Sequence, residues 1–350
     1  MRQLVTVQKI HNIRPIEGRD RVDVASVLGW EVIVGKGVYQ ENEYVCFAEI
    51  DSVFPKHEIF SDLERFKYRI KSFKVNTKDG AIYGQGYCLP LTILEHFDKE
   101  YPREYQIGED ITDLIGVVKY EPPIDYSEGD SKGTFPTKFI PKTDETRLQS
   151  KLEVLDELKG KPYVIRQKAD GQSSTFLIAP DTNEYLVCSR SLSKKSPEES
   201  GKESTFWTVS KKYDIEKMLR EYPDYAIQGE IVGGKIQGNK MGINGLELRV
   251  FNIYKLSERR YLNHDEFESM FEKFKTISPK LEQCKIIEIG DNFNHTYESL
   301  LELAIHKYDS GKWAEGIVIR SQIEQYSLAL KESRLSFKLI NPEFLCSGGN

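Results

Sequence analysis

Lys168 is the residue whose setting most suggests chemistry. It stands in Val164-Ile165-Arg166-Gln167-Lys168-Ala169-Asp170-Gly171-Gln172-Ser173-Ser174, between two segments that read as strands, with an acid and a glycine just after it. A lysine held by scaffold on both sides is placed to act as a nucleophile. Only about one such amine in a thousand is neutral at pH 7, so that role needs nearby positive charge or desolvation. The same letters, Lys-x-Asp-Gly, also read as a hairpin with Asp-Gly at its tip. Other chemistries lack their signatures: there is no G-x-x-x-x-G-K-[ST] loop, no H-E-x-x-H helix and no G-x-S-x-G elbow. Cys46, Cys88, Cys188, Cys284 and Cys346 lie far apart with no histidine at ligand spacing, so neither a zinc site nor a disulfide framework is expected.

Further phrases follow in a fixed order. Pro141-Lys142-Thr143-Asp144-Glu145-Thr146-Arg147-Leu148-Gln149 precedes the lysine. Ser189-Arg190-Ser191-Leu192, Gln228-Gly229-Glu230-Ile231, Arg249-Val250-Phe251-Asn252, Glu315-Gly316-Ile317-Val318-Ile319-Arg320 and Ser336-Phe337-Lys338-Leu339-Ile340 come after it. Taken singly, each has a plain structural reading: Glu230 as an exposed strand acid, Glu315 as a turn acid, Phe251 as core, Arg147 and Arg190 as surface ion-pair partners. Their order over residues 138 to 345 resembles the covalent nucleotidyltransferases, the superfamily of ATP-dependent ligases and RNA capping enzymes. The Pro-Lys-Thr-Asp-Glu-x-Arg-x-Gln phrase is similar to RNA ligases, and a barrel placed before the catalytic domain is similar to their fifth ATP-dependent family.

The resemblance implies that Lys168 attacks ATP to form a lysyl-adenylate, with Lys338, Glu315, Glu230 and Asp170 serving the transfer. Arg147, Arg190 and Lys338 match the charge of a polyphosphate. Asp170, Glu230 and Glu315 are acids of the kind that hold Mg2+ or Mn2+ through water. The family places Phe251 over the adenine face and the residue before the nucleophile at the adenine edge, so Gln167 and Glu230 join the ATP-binding set. Two departures stand out. Many relatives carry an acid where this chain has Gln167, which shifts that contact to an amide oxygen. Many also carry two lysines in the last phrase, whereas Ser336 takes the first position, leaving Lys338 alone or compensated by Lys331 or Arg334.

The elements that must position these residues fall into two groups. Residues 1–120 read as short β-segments, including 25–28, 30–34 and 44–50, consistent with an oligonucleotide-binding (OB) barrel. Arg65, Lys67, Arg69, Lys71 and Lys74 alternate with Phe66, Tyr68, Ile70 and Phe73. On a strand this is either a cationic face for RNA phosphates with aromatics for bases, or an ordinary amphipathic strand. Residues 121–137, with Pro122, Pro123, Gly129 and Gly133, read as a linker. Residues 138–350 alternate strands with helical patterns at 149–158, 215–220, 265–274 and 300–307. The expected fold class is α+β: an OB-like barrel, then an ATP-grasp-like nucleotidyltransferase (ligase) domain of antiparallel sheets with flanking helices.

With 39% hydrophobic residues the chain can build real cores, and a net charge of −6 excludes histone-like binding by bulk charge. No leader or long apolar run appears, so an intracellular protein, cytoplasmic or nuclear and away from membranes, is expected, and as a monomer. The implied activity is joining of 3′-hydroxyl and 5′-phosphate ends, at nicks in RNA or RNA-containing duplexes. The rivals are a DNA ligase, a capping guanylyltransferase or a non-catalytic OB-type nucleic-acid-binding protein. The first two usually need a barrel after the catalytic domain, and only twelve residues follow Lys338.

Overall fold

The computed structural model describes residues 3–78, 80–121 and 129–348. The chain forms two compact units, Met1–Ile124 with Gln149–Leu152 and Gly348–Asn350, and Asp125–Leu148 with Glu153–Ser347. Among the described residues no helix is long and apolar enough to cross a membrane.

The first unit is built on five antiparallel strands in the order Trp30–Gly35, Val22–Val27, Val5–Pro15, Tyr44–Ala48 and Tyr87–Pro90, curled into an OB-like half-barrel. Alternation explains the packing: in Trp30–Gly35 the inward Trp30, Val32 and Val34 are buried while Glu31 and Ile33 are half-buried.

The cation-rich stretch does not form the strand expected of it. Arg65 and Phe66 end a 3-10 helix, Glu58–Phe66, anchored by buried Phe60 and Leu63. The chain then turns at Lys67 and Tyr68, both left-handed with φ 55° and 59°. Arg69 is buried, 2.8 Å from Asp51 and stacked on the Tyr120 ring, so it leaves the proposed RNA-facing set. Only Phe73 and Lys74 lie on a strand, Phe73–Thr77. The period-2 pattern was broken because Phe60 and Leu63 claim the core from a helical turn, not a pleat.

In the second unit the larger sheet runs in the order Ser131–Thr134, Leu192–Lys194, Tyr185–Ser189, Gln172–Ile178, Tyr225–Gly233, Leu246–Lys255 and Arg260–Tyr261. Of the expected linker, Pro122 to Glu128 lie outside the described residues. Ser131–Thr134 is instead an edge strand, and Phe135 is buried behind it. The polar composition that suggested a linker is used in edge ion pairs, Lys132 with Glu184 and Glu199, and Asp130 with Lys194.

Helices Thr205–Lys212, Ile215–Glu221 and His264–Ile277 cover one face, where Val209, Met218, Phe267, Phe271 and Phe274 pack with Phe176, Ile227 and Val250. The first of these was not anticipated. The expected 149–158 helix shortens to Val154–Leu158, because Gln149–Leu152 group with the first unit. The smaller sheet runs Thr146–Arg147, Ser336–Ile340, Gly316–Ser321, Tyr163–Lys168 and Ile286–Gly290. Its Thr146–Arg147 pairing is parallel, a departure from the all-antiparallel expectation.

Candidate active site

Lys168 is the last residue of its strand, paired with Gly316. Two glycines bring the acids to it. A Cβ on Gly171 would stand 2.2 Å from the Ile231 carbonyl oxygen and 2.9 Å from Glu230 Cγ, so only glycine lets the Glu230 strand close in. Gly316, at φ +142°, would put a Cβ 2.2 Å from the Leu339 oxygen, and its absence lets the Ser336–Ile340 strand lie beside Glu315. Lys168 Nζ donates to Glu315 Oε2 at 2.7 Å.

The backbone at this point is held from both sides. Tyr308 Oη donates to the Lys168 carbonyl at 2.8 Å and accepts from Glu315 N–H at 3.1 Å, while Asn341 N–H donates to the Glu315 carbonyl at 2.9 Å. Neither Tyr308 nor Asn341 carried a sequence signal, since each acts through backbone bonds that no motif spells out.

The electrostatics are those of crowded acids around one amine. Burial pulls the Lys168 pKa down, but Glu315, Glu230 and Asp170 raise it more, leaving it above its ordinary value. Burial, reinforced by Glu315 and Asp170, pushes Glu230 up to about 8. Burial and Glu315 push Asp170 up to about 6, against the pull of Lys240, whose Nζ lies 3.2 Å away and over the Phe344 ring. Such an excess of hard oxygen donors in a poorly solvated place suits a divalent cation. Among the described residues no three His, Cys, Asp or Glu side chains are grouped for direct coordination of a metal ion.

Lys338 extends the site from the neighbouring strand, opposite Val318 and beside Arg147, which is itself buried. Burial, with Lys168 and Arg147 nearby, lowers the Lys338 pKa to about 8 against the opposing pull of Asp144. Asp144 accepts from Lys338 at 3.1 Å and from Arg190 at 2.9 Å, joining three of the quoted phrases through a residue that the sequence reading gave no role.

Phe251 lies at a bulge: Gln228 faces Asn252 and Gly229 faces Val250, so Phe251 has no partner across the ladder. Bulges of this kind re-aim a side chain. Its ring packs half-buried against Ala169, Val232 and Cys284, and its carbonyl accepts from Arg320 at 2.8 Å. Arg320 also bonds Ser336 Oγ at 3.0 Å and Glu145 at 2.8 Å, so the position of the absent lysine is filled by a buried serine serving Arg320. Arg334 is committed to Glu324 and Asn252, and Lys331 sits exposed at a turn with φ 55°, so neither is aimed as a substitute.

Gln167 lines a cavity of about 370 Å³ with Ala169, Met241, Ile243, Cys284 and Tyr308. Of the residues singled out as cofactor-binding or catalytic, Lys168, Asp170, Glu230, Glu315, Arg147, Arg190 and Lys338 are linked by contact, pairing or mutual field in the second unit. Arg65, Lys67, Lys71 and Lys74 are exposed in the first unit.

Residues 161–340 match the family model for RNA ligase, and residues 4–91 match an OB-fold domain. No curated protein matches. Among solved structures, a lysine-to-methionine mutant of the Naegleria gruberi RNA ligase with AMP and Mn is 25% identical at a TM-score of 0.84, the match covering 99% of each chain. The Naegleria gruberi RNA ligase with PPi is likewise 25% identical, at a TM-score of 0.83, over 100% of this chain and 99% of that one. The family match spans half of the sequence and contains Lys168, Glu230, Glu315 and Lys338, and the chain belongs to the RNA ligase family.

Proposed function

We propose that this RNA ligase is ATP-dependent and joins a 3′-hydroxyl to a 5′-phosphate through a lysyl-AMP on Lys168, acting at nicks whose 3′-hydroxyl strand is RNA. The observation that carries this is Lys168 Nζ 2.7 Å from Glu315 and in the field of Glu230 and Asp170, with Lys338 and Arg147 on the two strands of the same sheet that lie beyond Gly316–Ser321. AMP, Mn and PPi, named with the Naegleria ligase, are the species expected at such a site.

Lys168 Nζ attacks the α-phosphorus of ATP, a P–N bond forms, and the bond to the bridging oxygen breaks to release pyrophosphate. A 5′-phosphate oxygen then displaces the lysine to give an adenylylated RNA end. The 3′-hydroxyl attacks the phosphorus of that end and AMP leaves. Lys338, Arg147 and Arg190 orient and neutralise phosphates, and the bulged Phe251 faces the base. Mg2+ or Mn2+ held by Asp170, Glu230 and Glu315 through water would offset the charge that keeps Lys168 protonated and polarise the phosphate. Glu315 accepts from the ammonium, and Tyr308 keeps the two at a fixed separation.

The test is incubation of purified protein with magnesium and α-labelled ATP. Label should survive denaturation, and Lys168→Ala should abolish it. Retention of label by that variant would remove Lys168 from the role.

A further inference from the structure

Between the strand of Glu230 and the strand of Phe251 runs a glycine-rich loop, with Gly233, Gly234, Gly238, Gly242 and Gly245, and in it a lysine that no phrase of the sequence accounts for, Lys240. The loop is closed on itself: the Asn239 side chain accepts from the Ile243 N–H at 3.0 Å and donates to the Ile243 carbonyl at 2.9 Å. It is also docked on the turn that follows Tyr308. There Ser310 Oγ donates to the Lys240 carbonyl at 2.5 Å, and a Cβ on Gly242 would stand 2.8 Å from Ser310 Cβ. Lys240 is therefore presented from a fixed backbone.

Its ammonium serves two neighbours. It lies 3.2 Å from Asp170 Oδ2 and 4.1 Å from the centre of the Phe344 ring, and the Asp170 side chain is only 10% exposed. The pairing neutralises charge without a hydrogen bond: Asp170 Oδ2 is buried and, among the described residues, no donor meets it in hydrogen-bonding geometry. A buried carboxylate oxygen in that condition is costly, and water carried by a divalent cation would supply the donor. The Phe344 ring gives the ammonium a second seat, since an aromatic face attracts a cation by itself.

We propose that Lys240 is a positioning residue for the divalent cation: it neutralises Asp170 while the ion is absent and yields the carboxylate when the ion is bound, keeping its seat on Phe344. The inference rests on the reading of Asp170, Glu230 and Glu315 as acids that hold that ion through water. Two positive charges at one carboxylate repel each other strongly where water is scarce, so Lys240 and the ion compete for Asp170. Lys240 thereby holds Asp170 ready and sets how tightly the ion is taken up.

The experiment measures Mn2+ binding to the nucleotide-free, full-length protein through the loss of the free-ion electron paramagnetic resonance signal. It is run near physiological ionic strength, where exposed charges more than about 8 Å apart are largely screened from each other. Lys240→Met removes the competing charge and keeps an apolar stem over Phe344, so the Kd for Mn2+ should fall about tenfold or more. Lys240→Gln stands in if that variant does not fold. Lys240→Arg keeps the charge, and Lys235→Met removes an exposed charge from the same loop; both should stay within about threefold of wild type. On an Asp170→Asn background Lys240→Met should lose its effect, a coupling that a merely structural lysine would not show. An unchanged Kd in Lys240→Met, an equal fall in Lys235→Met or Lys240→Arg, or a fall that persists on Asp170→Asn overturns the proposal while the cation site stands. Absence of Mn2+ binding in all of these proteins, or binding that Asp170→Asn leaves untouched, overturns the reading of the cation site instead.

Discussion

Tyr308 shows how much of the site rests on a single hydroxyl. Its oxygen bridges the Lys168 carbonyl and the Glu315 amide at the point where the strand pairing ends. Tyr308→Phe would leave both groups without that partner, at a stability cost of about 1–3 kcal/mol. Lysyl-adenylate formation should fall about tenfold or more, because the Lys168–Glu315 geometry loosens. Sealing of RNA that is already adenylylated needs no nucleophilic lysine and should suffer less. Equal losses in both assays would reduce Tyr308 to a fold residue. Glu230 offers a second check at this scale. Its pKa is raised from 4.5 to about 8, first by burial, so the native protein binds a proton there that the unfolded chain releases. Its contribution to stability is therefore fully present below about pH 4.5 and is lost as pH rises toward 8. The difference in melting temperature between wild type and Glu230→Gln should change across that window and level off outside it. A difference independent of pH would show that Glu230 is not a buried, perturbed acid.

At the scale of elements, what was legible in the sequence was what side chains announce. The order of phrases located Lys168, Glu230, Glu315 and Lys338, and apolar segments located three strands of the first unit's main sheet and most of the longer strands of the second unit. Backbone approach left no such trace. Gly171 read as a hairpin-tip glycine, yet its requirement comes from the Ile231 carbonyl 2.2 Å from where a Cβ would be. Arg65 to Lys74 read as a strand because alternation cannot reveal that Phe60 and Leu63 anchor the preceding turn. Ser131–Thr134 read as linker because its polar side chains pair with acids and a lysine more than 50 residues away in sequence. The Gly171 reading can be measured. Gly171→Ala forces the Glu230 strand outward and should cost about 1–3 kcal/mol as an overpacking change, with a loss of adenylylation larger than the loss of folded protein explains. Gly133→Ala meets nothing within 4 Å and should stay within about 0.5 kcal/mol of wild type. If Gly171→Ala behaved like Gly133→Ala in both activity and melting, close approach would not be the reason for that glycine.

For the whole molecule, chemistry and polynucleotide recognition are expected in different units. The lysine, its acids and Lys338 belong to the second unit, whereas Arg65, Lys67, Lys71 and Lys74, with Phe66 and Phe73 exposed among them, belong to the first. In the proposed mechanism a lysyl-adenylate forms before any RNA end is engaged, so identity of the polynucleotide should act only on the later steps. A ribonucleotide at the 3′-hydroxyl side of a nick offers a 2′-hydroxyl to bond and an A-form shape to recognise. Nicked duplexes that differ only in RNA or DNA at the terminal 3′-hydroxyl nucleotides should therefore seal at different rates, the RNA end faster, while lysyl-adenylate formation stays the same. The difference should persist when the 5′ end is supplied already adenylylated, because that substrate isolates attack by the 3′-hydroxyl. Equal sealing of the two pre-adenylylated nicks would mean that the active site does not read the sugar at the attacking end, and would make this member of the family a general polynucleotide ligase.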